Sequence, residues 1–113
     1  MQLEFAGWDE SWAEAFATHK DAGLFPGRVF THNRHIYSIY TEAGEITAEI
    51  SGSLLYRVDE PELPVVGDWI AFRQHSTGDL AIIDDVLPRR TKFSRKAAGR
   101  AFAEQVIATN IVP

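Results

Sequence analysis

The sequence predicts a mainly β domain that forms a small barrel, with one α-helix before the barrel and a basic linker after it. Five short segments between residues 28 and 87 are rich in β-branched and aromatic residues and are separated by turn formers. A stripe of aromatic residues at four-residue spacing precedes them, which is typical of one face of a helix. The chain of 113 residues is long enough for one ordinary domain.

The predicted helix covers residues 10–18. Trp8, Trp12 and Phe16 recur every four residues, so they stack on one helical face. Asp9 is the expected N-cap, because its carboxylate can accept a hydrogen bond from a free N–H group of the first turn. We expect the aromatic face to pack onto the following barrel, and a face that binds a partner protein is the alternative.

The predicted strands alternate between buried and exposed positions, most clearly in the third, where Ile46, Ala48 and Ile50 alternate with polar residues. Residues 42–44 and 76–79 are expected hairpin loops, and 64–68 is an expected turn in which Asp68 has a structural role. Residues 54–63 are irregular and are expected to form a connection with at most a short turn of helix. The five strands are predicted at 28–31, 35–41, 46–50, 69–74 and 80–87.

Closure into a barrel is expected because an open sheet of this size would leave unpaired strand edges. The five-stranded OB fold is the leading candidate, and an SH3-like barrel is the alternative. Nucleic acids usually bind OB folds on the face of strands 2 and 3 and at two loops. These loops are predicted at residues 31–34 and 74–79.

The charge distribution changes sharply near residue 87. Six of the eleven Lys and Arg residues lie between residues 87 and 105, and no acidic residue lies between 86 and 103. Residues 1–85 carry five basic and fifteen acidic side chains, a net charge of −10. The basic segment can be an anion-binding tail, an interdomain linker, or both. We expect helical turns in 96–105, and a strand in 106–112 with no following partner, as in a fragment of a longer protein.

Several classes of function are excluded or disfavoured. The sequence lacks a phosphate-binding P-loop, a dinucleotide-binding glycine motif, an H-E-x-x-H motif and a G-x-S-x-G motif, so no catalytic residue is predicted. It has no cysteine, signal peptide or membrane span, and we expect a soluble, cytoplasmic monomer with no membrane or DNA partner. His32 and His35 are read as loop residues, because no third metal ligand has a matching spacing.

The candidate functional residues are cations and polar groups that can contact RNA. Arginine presents a planar fork of donors that suits phosphate. The alternative for the barrel arginines is surface salt bridging, and that for the basic segment is a solvated linker. Tyr37, Tyr40 and Phe72 can stack on bases, although core packing is the competing reading. The predicted RNA-binding set is Arg28, His32, Asn33, Arg34, His35, Arg73, Arg89, Arg90, Lys92, Arg95, Lys96 and Arg100.

Several motifs together resemble one protein family. They are Gly7-Trp8, Pro26-Gly27-Arg28-Val29, Val66-Gly67-Asp68-Trp69, Leu87-Pro88-Arg89-Arg90, the segment FSRKAAGR at 93–100 and EQVIATN at 104–110. This combination is similar to the amino-terminal part of the ribosome-small-subunit-dependent, circularly permuted GTPases, the RsgA/YjeQ family. The resemblance covers nearly the whole chain, and the segment 94–110 is its most specific part.

The resemblance implies that the chain is the amino-terminal part of a longer, multidomain parent protein. It implies an amino-terminal extension at 1–22, an OB barrel at 23–90, a basic linker at 91–105, and at 106–113 the first strand of a GTPase domain that the chain does not contain. In that family the OB domain docks on small-subunit rRNA near the decoding region late in assembly, and ribosome binding stimulates GTP hydrolysis. The resemblance thus implies a non-catalytic docking domain, with GTP, magnesium and zinc as cofactors of the parent protein only. The alternative is a packing module that relays ribosome contact to the GTPase domain with little RNA affinity of its own.

Overall fold

A computed structural model of the chain describes residues 3–33, 36–58, 63–74, 80–89, 92–96 and 104–109. The chain begins with a short 3-10 helix, Leu3–Ala6, and helix α1, Glu10–Asp21. Asp9 is the N-cap of α1, as predicted, and its Oδ1 accepts a hydrogen bond of 3.0 Å from the Trp12 N–H. The helix extends beyond the predicted end because His19 and Lys20 suit the negative end of the helix dipole.

The predicted five-stranded OB barrel is confirmed. Its strand order is β1-β2-β3-β5-β4, and β1 also pairs with β4, which closes the barrel. All neighbouring strands are antiparallel except β3 and β5, which are parallel. The strands are β1 Phe25–Asn33, β2 Ile36–Thr41, β3 Gly44–Ile50, β4 Trp69–Arg73 and β5 Ala81–Val86, and helix α2, Gly52–Arg57, lies between β3 and β4 in the chain.

Strand β1 is longer at both ends than predicted. Its first part pairs with β4, where Pro26 lies opposite Ala71, and its second part pairs with β2 as far as Asn33 opposite Ile36. The loop predicted at 31–34 is therefore wrong for its first three residues, which are strand. Sequence patterns missed the extension because a closing strand must serve two neighbours, and Pro26 and Gly27 are weak strand formers in isolation.

The interior consists of two apolar clusters. The barrel cluster includes Ile39, Leu54, Ile70 and Ile83, each with no exposed surface. The second cluster lies between α1 and the barrel, where the predicted aromatic stripe meets Trp69. The ring centroid of Trp69 lies 4.8 Å from that of Trp8 and 6.1 Å from that of Trp12. The prediction that the aromatic stripe packs onto the barrel is confirmed.

The segment after the barrel differs from expectation. Strand β6, Lys92–Lys96, pairs with strand β7, Glu104–Thr109, in an antiparallel two-stranded sheet. The helix predicted at 96–105 is therefore wrong at Lys96, Glu104 and Gln105, and its other positions lie outside the described residues. The strand predicted at 106–112 is present up to residue 109, but its partner precedes it in the chain. The limits of the linker and of the second domain stay predictions.

Within the described ranges, no helix is both long and apolar enough to cross a membrane.

Candidate nucleic-acid interface

Arg28 connects the amino-terminal segment with the barrel. It follows Gly27 on β1, and its half-buried side chain turns toward the turn before β4. The Nε group donates a hydrogen bond of 3.1 Å to the Gly67 carbonyl, and Nη1 donates to the Ala6 carbonyl. Its guanidinium carbon lies 5.8 Å from the centroid of a Trp69 ring. Burial lowers the pKa of Arg28, and the nearby Asp68 carboxylate opposes this shift.

A second arginine is held in the same region. Arg89 donates two hydrogen bonds of 3.0 Å to the Asp68 carboxylate, from Nε to Oδ1 and from Nη2 to Oδ2. Its Nη2 group also donates to the Leu63 carbonyl at 2.8 Å. Asp68 has no exposed surface, and it accepts a further bond of 2.9 Å from the Val65 N–H. This paired geometry is the strong, directional form of an arginine–carboxylate contact.

Position 7 requires glycine because of its backbone conformation and because the Arg28 guanidinium lies against it. Its φ of +98° lies in the left-handed region that favours glycine. A Cβ atom at this position would lie 2.8 Å from Arg28 Nη1. A side chain at position 7 would therefore displace the guanidinium from the Ala6 carbonyl.

The motifs at residues 7–8, 26–29 and 66–69 and the described residues 87–89 thus come together around Trp69, although they are spread over some 80 residues of the sequence. The backbone completes this junction. The Val29 N–H donates to the Asp68 carbonyl at 2.9 Å, and the Leu87 N–H donates to the Trp69 carbonyl at 2.9 Å. We name this group of residues, Gly7, Trp8, Arg28, Gly67, Asp68, Trp69, Leu87 and Arg89, the Trp69 junction. Its arginines make intramolecular contacts, so the sequence was right to assign Asp68 a structural role in its turn.

Other cations lie on the surface. Arg73 at the end of β4 has a side chain that is 57% exposed, and its Nε atom lies 2.7 Å from Asp84 Oδ2. Arg57 at the end of α2 is exposed and donates from Nη2 to the Asp84 carbonyl at 2.7 Å. Sequence reasoning missed Arg57, because only the fold brings the end of α2 beside β5.

The predicted residues near the β1–β2 connection are described in part. His32 is exposed on β1, and its ring is stacked on Tyr37 with centroids 5.6 Å apart. The backbone of Asn33 ends β1. In the basic segment, Lys92, Arg95 and Lys96 lie on β6. Arg34, His35, Arg90 and Arg100 lie outside the described residues. RNA binding by this whole set stays a prediction.

Two of the three candidate stacking residues belong to the barrel interior. Tyr37 and Phe72 are each 2% exposed, and the Tyr37 hydroxyl donates a hydrogen bond of 2.8 Å to the Pro64 carbonyl. Burial raises the pKa of Tyr37 to about 12, and the nearby Asp68 carboxylate acts in the same direction. Tyr40 is partly exposed and stacks on Phe30 with centroids 4.4 Å apart.

Among the described residues, no group of three or more His, Asp or Glu side chains is arranged to hold a metal ion. No buried side-chain nitrogen or oxygen in these ranges lacks a hydrogen-bond partner.

No family model matches the sequence. Individual relatives do match it. The chain is 41% identical over 120 aligned residues, which cover 98% of it, to the small ribosomal subunit biogenesis GTPase RsgA of Opitutus terrae. It is 33% identical over 96% of its length to the RsgA protein of Streptomyces coelicolor, and 36% identical over 93% to that of Methanosarcina acetivorans.

The chain belongs to the RsgA family. It spans 33%, 29% and 27% of the lengths of these three RsgA relatives. The crystal structure of YjeQ from Thermotoga maritima has a similar fold, with a TM-score of 0.56 and 16% identity over 78% of this chain and 27% of that one. In the Trp69 junction, motifs from distant positions of the sequence make direct contact.

Proposed function

We propose that this chain is a non-catalytic OB domain that docks a small-subunit biogenesis GTPase on the rRNA of the small ribosomal subunit. The observation that carries the proposal is the 41% identity, over 98% of the chain, to a protein named for small ribosomal subunit biogenesis. The closed barrel supports it further, because OB barrels commonly bind nucleic acids on one face and in two loops.

The charge distribution restricts how such a domain can hold RNA. Residues 1–85 are strongly acidic, so phosphate must be attracted by local cations rather than by the net charge. Exposed residues at two places fit this role, His32 on β1 and Arg73 at the end of β4. Arg34, two positions after His32 in the sequence, is a further contact in this proposal. Arg28 and Arg89 have a different role in this proposal, in which they hold the Trp69 junction in shape.

The remaining activities are assigned to the parent protein. We place GTP hydrolysis, together with the GTP, magnesium and zinc sites that the family resemblance implies, outside this chain. The parent protein would act in the cytoplasm as a monomer, in contact with the small subunit and with its own GTPase domain. The described residues contribute a shaped, polar surface to this arrangement, and no step of hydrolysis.

Cosedimentation of the 113-residue chain with purified small ribosomal subunits tests the proposal. We expect binding that weakens as salt is raised, because each phosphate contact releases counterions. Large subunits serve as the control. Arg34→Glu should weaken binding and leave the thermal unfolding curve unchanged. Arg28→Glu is unsuitable, because it would break the Trp69 junction and unfold the domain.

Two results separate the proposal from its alternative. A domain that only packs against the GTPase domain would not cosediment with small subunits at any salt concentration. GTP hydrolysis by the purified chain, above the level of a buffer blank, would contradict the non-catalytic assignment.

A further inference from the structure

Two arginines from separate elements bond to the same residue of β5, Asp84. Arg73 ends β4, Arg57 ends α2, and both bond to Asp84 of β5, one to its side chain and one to its carbonyl, each at 2.7 Å. The two contacts hold long and flexible side chains near a common point. Because they are ordered in advance, less side-chain entropy would be lost when a ligand binds there.

The net charge at this point is positive. The Asp84 carboxylate pairs with Arg73, whereas Arg57 bonds to the Asp84 main-chain carbonyl. Two guanidinium groups and one carboxylate give these three side chains a net charge of +1, whereas residues 1–85 as a whole carry a net charge of −10. Each guanidinium has five N–H donors, and the bonds to Asp84 use one nitrogen of each arginine. Further donors of two exposed side chains are therefore available to an anion.

An exposed aromatic residue precedes one of these cations on α2. Tyr56, which immediately precedes Arg57 on α2, is 93% exposed, and Leu55 beside it is 42% exposed. A large aromatic ring that remains in water has no role in packing the barrel. Cations that track a phosphate backbone and an aromatic ring on which a base can stack are the two features of a single-stranded RNA contact.

We propose that Tyr56, Arg57 and Arg73 form an RNA-contact surface, with the arginines on phosphate groups and the tyrosine on an unpaired base. We call it the α2 surface, and it rests on the proposed function. None of its three residues belongs to the β1–β2 connection, where the sequence placed most of the barrel contacts. Asp84 positions both arginines and at the same time reduces their attraction for phosphate.

Matched charge substitutions in the 113-residue chain test the α2 surface. Arg57→Glu and Lys20→Glu change the net charge equally, and Lys20 is an exposed residue on α1. With purified small subunits at low salt, we expect Arg57→Glu to weaken binding about tenfold, the factor expected for loss of a charge-assisted hydrogen bond. Lys20→Glu should change it less than about twofold, because Lys20 is not among the residues proposed to contact RNA. Arg57→Lys should retain most of the affinity.

A second pair of variants separates RNA contact from a purely structural role. Asp84→Asn and Glu45→Gln each remove one negative charge from an outer strand position. If Asp84 competes with phosphate for the arginines, Asp84→Asn should tighten binding about threefold or more. This factor corresponds to about half of the free energy of one hydrogen bond to a charged group. Glu45→Gln should leave binding unchanged. A carboxylate that served only to stabilise the end of β4 through Arg73 would lower the melting temperature when neutralised and would not tighten binding.

The contribution of Tyr56 is measured by the affinity and by its salt dependence. Tyr56→Ala should weaken binding roughly tenfold, because base stacking on an aromatic ring contributes about 1–3 kcal/mol per base. It should not change the salt dependence, since no phosphate contact is lost.

The outcomes distinguish the two proposals. If the unmodified chain binds small subunits but Arg57→Glu behaves like Lys20→Glu, the α2 surface is wrong and the docking function stands. If the unmodified chain does not bind at all, both proposals fall.

Discussion

Replacement of Arg89 by methionine tests whether the buried ion pair holds the Trp69 junction together. The substitution retains an apolar stem of similar length and removes the guanidinium. Asp68, which has no exposed surface, then loses two hydrogen bonds of 3.0 Å, and the Leu63 carbonyl loses one of 2.8 Å. Removing one partner of a buried ion pair costs about 3–5 kcal/mol, because the other charge stays buried without compensation. We expect Arg89→Met to lower the free energy of unfolding by this amount.

The chain contains a matched control for this substitution. Arg73 also lies within 3.0 Å of a carboxylate, but its side chain is 57% exposed and that of Asp84 is 24% exposed, against 15% for Arg89 and 0% for Asp68. Exposed ion pairs contribute about 0–1 kcal/mol. Arg73→Met should therefore have little effect, although both arginines are a similar distance from their partners.

Thermal and urea unfolding followed by tryptophan fluorescence measure both variants. Three of the rings near the junction are tryptophans, so the signal reports on this region directly. For a domain of this size, 3–5 kcal/mol corresponds to a fall in melting temperature of about 12–20 °C. If Arg89→Met lowers the melting temperature by less than about 4 °C, or if the two variants lower it equally, burial does not determine the strength of these ion pairs.

Three further predictions concern stability. In a urea titration, Gly7→Ala should lower the free energy of unfolding by about 2–3 kcal/mol, because the residue has a positive φ and the added Cβ collides with Arg28. Gly23→Ala should lower it by only about 1 kcal/mol, because Gly23 has a similar φ of +84° but an added Cβ would have no atom within 4 Å. Equal losses would exclude the collision. Burial raises the pKa of Tyr37 to about 12 in the folded chain, against an ordinary value of 10 in the unfolded chain. The unfolded chain therefore loses this proton first as the pH rises, and the free energy of unfolding should fall by at most about 2.7 kcal/mol between pH 10 and 12. Tyr37→Phe should remove that pH dependence from the unfolding free energy, and an unchanged slope would assign it to other groups. Asp9→Ala should cost about 1 kcal/mol by loss of the N-cap, and Asp9→Asn should restore most of it in the same titration.

The candidate interface was predictable only in part. Arg73 is exposed at the end of β4 after four consecutive buried residues, so no alternation along this strand marks it as a surface residue. Arg28 and Arg89 looked like equally good surface cations in the sequence. Whether an arginine turns toward solvent or toward a buried carboxylate depends on groups 39 and 21 positions away in the chain, and no local pattern reports on these distances.

Local sequence patterns were sufficient to predict helix α1, strand β3 and an OB barrel as the leading fold. Spacing of Trp12 and Phe16 determined helix α1, and the alternation of buried and exposed residues determined β3, since both patterns arise from the repeat of a single element. Contacts between distant parts of the chain set the ends of these elements and determined which arginines pair with buried groups. Closure extended β1 to two neighbours, pairing turned Lys92–Lys96 into a strand, and burial of Asp68 turned Arg89 inward. Each of these outcomes depends on contacts between distant parts of the chain, where the free energy of pairing and desolvation outweighs local preference.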